Sequence, residues 1–410
     1  MSTNEKLIVK TVNDTSGAFS TNSISHSFAG QAALTAFKDY TAACNTPVFN
    51  YELIESNLQG IYLVAQEVGY EMLKSFLVRI GKEDMILNCV IDYVHDSRFR
   101  AFATKQQNYY FIGISAALPA LLQALFHNLF SFTNPLASFY EDDSVADSQD
   151  EQDYIFPDRL LTNFFENEAL RSEIESIIKD TIPDERWKRM MSSKFTELAI
   201  CFCIAHEIGH LVCGHTDIMG LRSMHTIQEV RFNGEMDEAR PIGRWLSHAF
   251  EIQADQTAMG FLYSYVIGTA KHRGKFMHYL RCQNDPIGLY GRMLYAVYLV
   301  FLLLGQQQYM IDVKGSHPAP ITRITFLMAF LGTIMADRDG YDPEVAGDLV
   351  ERYADMAEGA WERIGFPNGR NIETIDDLPQ VVVDLQRAMD LTAHYFRSKQ
   401  WVVLFRQTIT

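Results

Sequence analysis

Apolar positions in this chain fall mostly at helical spacing. Between residues 184 and 212, Phe195, Leu198, Ala199, Phe202, Ala205, Ile208 and Val212 recur three or four residues apart, which predicts one long helix or two in series. Pro183, with Asp184 and Glu185 after it, suits the start of that helix, and Gly214 suits its stop. Leu53, Leu58, Ile61, Val64, Val68, Met72 and Phe76 keep a similar period and predict one or two helices over residues 51–80. Further helices are expected over 154–180, over 242–268, over 285–305 and from Ile321 onward, with a Gly/Pro/Asn break at 365–369. Two short runs read differently. Residues 89–94 are strand-like, and 108–115, rich in aromatic and β-branched residues, predict a strand.

The run after that strand raises the question of a membrane, because no Asp, Glu, Lys or Arg occurs between Lys105 and Glu141. Leu118, Leu121, Leu122, Leu125, Phe126 and Leu129 share one face of a helix, while Pro119, Gln123, His127 and Asn128 sit off it. That pattern predicts an amphipathic core helix rather than a lipid-facing one, although the charge-free stretch 106–140 keeps membrane association open. Residues 293–304 are apolar but too few to span a bilayer, and Gln306, Gln307 and Gln308 follow at once, so a buried helix is expected there.

Composition narrows the classes of function. The 410-residue chain is 48% hydrophobic and 21% charged, which is the balance of a folded protein with a large core. Its formal net charge of −16, with no long basic run, argues against nucleic acid or an anionic membrane surface as the main partner. The six cysteines, Cys44, Cys89, Cys201, Cys203, Cys213 and Cys282, show no C-x-x-C spacing. They read as buried or free thiols, and with no apolar leader in residues 1–10 the expectation is a cytoplasmic protein. Residues 141–153 carry seven acidic side chains and no basic one, which reads as a solvated loop or, alternatively, as a lid or boundary. Residues 215–240 read as a polar, irregular loop.

Chemistry concentrates in three places. The long helix contains His206-Glu207-Ile208-Gly209-His210, followed by Gly214-His215. Residues four apart project from one helical face, so two imidazoles there can hold one metal ion, and Glu207 can act as general base on a water beside it. The second place is Glu251 and Asp255, again four apart, where two like charges on one face repel unless each has a partner. Glu251 as a metal ligand and Asp255 as the support of a histidine ligand would supply those partners. His248, one turn earlier, is a further ligand candidate. The third is His317-Pro318-Ala319-Pro320 running on to Arg323, where the prolines force a turn or helix start.

In this order the three blocks resemble the gluzincin zinc metallopeptidases, in the branch that includes the CAAX prenyl proteases and the heat-shock membrane proteases, over roughly residues 195–330. The resemblance implies one zinc per chain held by His206, His210 and Glu251, with Glu207 as general base and Asp255 supporting a ligand. It further implies that His317 helps hold the transition state and that Arg323 pairs with an acidic group near the site. The implied fold class is α+β, mainly helical, with a zincin-like catalytic domain, a small sheet and the His-Glu-x-x-His helix. The catalytic part is expected over 151–335, between an N-terminal region, 1–150, of unknown role and a helical C-terminal region, 336–410. The chain lacks the clear spanning helices of the membrane members, so a soluble relative is the better picture, and CAAX processing is not carried over.

Three functions follow as expectations. The first is a zinc endopeptidase acting on a protein or peptide. The second is a regulated single-target peptidase, such as a toxin, stress or anti-phage factor. The third is a non-catalytic zinc-containing interaction protein. A fourth metal position filled by His215, His248 or an acidic side chain of 141–153 would favour a latent or inactive form.

Overall fold

The computed structural model describes residues 28–50, 56–132 except 97, 178–220 except 180, 241–311 except 284 and 286, 318, and 320–364. The expected helix over 154–180, the acidic stretch 141–153, His317 and the break at 365–369 lie outside the described residues, apart from the last few positions of that helix.

The described part is mainly helical with one small sheet, an α+β arrangement. Helix α1 (Gln31–Ala43) and helix α2 (Ser56–Arg79) precede strand β1 (Cys89–Val94). Strands β2 (Ala101–Gln106) and β3 (Tyr109–Ser115) follow, then α3 (Ala117–Phe132), α4 (Arg186–Val212) and the short α5 (His215–Gly220). The remaining helices are α6 (Pro241–Val266), α7 (Ala270–Tyr279), α8 (Gly288–Ile311), α9 (Pro320–Asp339) and α10 (Pro343–Arg363).

The sheet order is β1-β3-β2, with β1 parallel and β2 antiparallel to β3. Its two faces follow the period-2 rule. Val90, Val94, Phe102 and Phe111 point to α1, where they meet Ala33, Leu34 and Phe37. Ile91, Tyr93, Ala103, Ile112 and Ile114 point into the main core. Gly113 lies beneath the Phe102 ring, where an added Cβ would come within 2.2 Å of ring carbon.

Helix α4 is the centre of the molecule, packed by α2, α3, α6, α8 and the sheet. One apolar core runs from Phe49 to Ile364, so residues on both sides of the expected boundaries at 150 and 335 share it. Helix α3 departs from the amphipathic expectation. Pro119, Gln123, His127 and Asn128 are buried along with the leucines, because α3 is enclosed rather than laid on a surface. Residues 215–220, expected to be irregular, form α5. Among the described residues, α4 and residues 288–305 of α8 are long and apolar enough to cross a membrane, and 89% of each qualifying window is buried inside the molecule. The six cysteines are free thiols.

Candidate metal centre

Helix α4 is a single helix, and Gly214 ends it with a φ of 74°, a conformation that favours glycine. Its last two turns put polar groups into the core. Glu207 is 7% exposed and His210 is 3% exposed. Burial of that kind is costly unless partners are present, and α6 and α9 supply them. Gly209 lets α6 come close, since a Cβ there would stand 2.9 Å from the Ala254 carbonyl oxygen. Ala254 lies one turn after Glu251, so this approach carries Glu251 to the histidines.

His206 Nε2 and His210 Nε2 are 3.1 Å apart, with the rings nearly perpendicular. Glu251 straddles them, with Oε2 3.4 Å from His206 Nε2 and Oε1 3.4 Å from His210 Nε2. One atom from each of the three residues lies within 4.8 Å of the other two. Two nitrogens each about 2.05 Å from a tetrahedral zinc stand roughly 3.3 Å apart, so this spacing suits that ion with little adjustment. Two imidazoles and a carboxylate are also a donor set that zinc accepts.

Behind these groups lies a layer of support. His206 Nδ1 is 2.8 Å from Asp255 Oδ1. Arg323 donates to both oxygens of Asp255, from Nε at 2.8 Å and from Nη2 at 2.7 Å, and its Nη1 is 3.4 Å from Glu251 Oε2. The guanidinium also lies 5.0 Å over the Phe301 ring. On the other histidine, His210 Nδ1 is 2.9 Å from His215 Nδ1, and His215 Nε2 is 3.1 Å from Gln253 Oε1.

The electrostatics follow from burial and neighbours. Burial pushes the Glu207 carboxyl up and Glu251 adds to this, while His206, His210 and Arg323 oppose it; the balance lies above the ordinary value. Burial lowers His206, but the hydrogen bond and charge of Asp255, joined by Glu251, win and raise it to about 10. Asp255, raised by burial, ends below its ordinary value through Arg323 and His206. Burial and the neighbouring His210 hold His215 well below its ordinary value.

The structure therefore brings together His206, Glu207, His210, Glu251, Asp255 and Arg323. His317 lies outside the described residues. His248 is buried one turn before Glu251 but does not join the three-residue group. His215 meets the ring nitrogen of His210 that points away from the group, so it backs that histidine and does not face the three-residue group. Gln253 had no signal in the sequence, because it is offset from the Glu251/Asp255 face and its partner lies 38 residues earlier. Compared with known proteins, the chain matches no family model, no curated protein and no solved structure.

Proposed function

We propose that this chain is a zinc-dependent endopeptidase with a zincin-like core. The observation that carries the reading is the convergence of His206 Nε2, His210 Nε2 and the Glu251 carboxylate on one largely buried point, with Glu207 next in sequence to the first of them. His206, His210 and Glu251 would hold the metal. Zinc bound there supplies Lewis acidity and brings the ionisation of water towards neutral pH. Asp255 accepts the Nδ1 proton of His206 and so turns its Nε2 lone pair to the metal position. Arg323 keeps Asp255 ionised and fixed. Glu207 takes a proton from water as its oxygen adds to the peptide carbonyl, and returns that proton to the amine nitrogen as the C–N bond breaks. His317, on the strength of the resemblance, is the candidate donor to the oxyanion.

The reading is favoured over a structural zinc site. Such sites are closed by four protein ligands and rich in cysteine, whereas three ligands converge among the described residues and none is a thiol. Elemental analysis tests it first. The wild-type protein should carry about one zinc per chain, and Glu251→Ala should lose most of it. Glu207→Gln should retain zinc while hydrolysis of an unfolded protein substrate falls by about 10²–10⁴. An active Glu207→Gln protein would overturn the assignment of the base.

A further inference from the structure

The two histidines of the metal centre are backed in different ways. His206 leans on a carboxylate, Asp255. His210 leans on a neutral chain, first His215 and then Gln253. His215 is fully buried, and its ring stacks on Phe250 with centroids 4.1 Å apart and planes 14° from parallel. The stack fixes the plane of the ring, so its two nitrogens face His210 and Gln253.

The order of hydrogens along this chain follows from elementary donor and acceptor rules. A carboxamide oxygen only accepts, so the hydrogen between Gln253 Oε1 and His215 Nε2 belongs to the imidazole. A neutral imidazole carries one ring hydrogen, which leaves a lone pair on His215 Nδ1. That lone pair accepts from His210 Nδ1–H across 2.9 Å. His210 is thereby left with its lone pair on Nε2, the nitrogen that faces His206 and Glu251. The other tautomer of His210 would point a hydrogen at the metal position and set two lone pairs against each other at Nδ1. A neutral acceptor also avoids a fourth carboxylate beside Glu207, Glu251 and Asp255.

We propose that His215 and Gln253 are positioning residues that set the tautomer of His210 and aim its Nε2 at the metal. The proposal rests on the metal reading above, and its test separates the two. Loss of partners behind a histidine ligand typically weakens metal binding about 10–100-fold. Zinc affinity is measured by competition with a chromophoric chelator, with thermal melts as the folding control. His215→Phe keeps a ring on Phe250 but offers no acceptor, and should weaken zinc binding about 10–100-fold. His215→Asn puts an amide oxygen near the place of Nδ1, and should recover most of that loss. Gln253→Leu, at a half-buried position, should weaken binding in the same direction, and it serves should His215→Phe not fold.

Long-range nitrogen-15 spectra of the zinc-free protein locate the ring hydrogen of His210 directly. It should sit on Nδ1 in the wild type and move towards Nε2 in His215→Phe. Unchanged zinc affinity in both His215→Phe and Gln253→Leu overturns the proposal. So does equal weakness of His215→Phe and His215→Asn, which would mark a packing role alone. If the wild type binds no zinc, or binds it equally with Glu251→Ala, the metal reading has failed. The relay then stands with the hydrogen on Nδ1 and falls with it on Nε2.

Discussion

Arg323 and Asp255 form the closest-knit pair in the site, two parallel hydrogen bonds between side chains 8% and 1% exposed. Removing one member leaves the other buried and unpaired, which costs about 3–5 kcal/mol. Arg323→Gln should therefore lower the melting temperature sharply and, by loosening Asp255, weaken zinc binding as well. An unchanged melt would mean that Asp255 does not depend on this arginine. At this scale much of the site could be read from the chain. His206, Glu207 and His210 are set by helical spacing alone. Glu251 and Asp255 are betrayed by their like charges on one face, an arrangement that asks for partners. Arg323 needed the resemblance, because no local pattern tells a buried arginine from a surface one. Gln253 was hidden, since its one site contact is made across space to another helix.

Among the elements, the contact of α4 with α6 decides the geometry of the site. At Gly209 the two helices come close, with Ala254 Cα 3.0 Å from an added Cβ. Gly209→Ala should push the helices apart, cost about 1–3 kcal/mol and weaken zinc binding by displacing Glu251. Gly260 on α6 is the control, as an added Cβ there meets nothing within 4 Å. Gly260→Ala should be neutral or gain up to about 1 kcal/mol from helix propensity. Equal effects of the two changes, in melts and chelator titrations, would remove the close contact as the cause. Long apolar periods mark elements in this chain most plainly. The long helices and strands β1 and β3 followed from pattern, whereas β2 did not. Its sequence, Ala-Phe-Ala-Thr-Lys-Gln, has few strong strand formers, and it joins β3 through Gln107 and Asn108. Gln107 takes a φ of 55° without glycine, so the usual hairpin signal was missing.

For the whole molecule, the polar groups of α3 tie stability to pH. His127 is 6% exposed and contacts the Gln123 amide, and burial, aided by Arg189 and opposed by the Ile178 backbone, lowers its pKa from 6.5 to about 4. The folded protein thus holds His127 neutral, while the unfolded chain takes up a proton below about pH 6.5. The contribution is complete above that pH and is lost as pH falls through about 4, up to about 3 kcal/mol in all. The melting temperature should fall between pH 7 and pH 4, and His127→Gln should flatten that fall; an unchanged slope would rule His127 out as its source. The enclosed α3 also accounts for the lack of charged side chains over 117–130, since both its faces meet protein. Finally, α4 and α6 both belong to one large apolar core, whose burial favours the fold whether or not the donors hold an ion. Loading with a metal should therefore be an event separate from folding. A chain stripped by a chelator should remain native and be refilled at will, with zinc or with a coloured substitute such as cobalt.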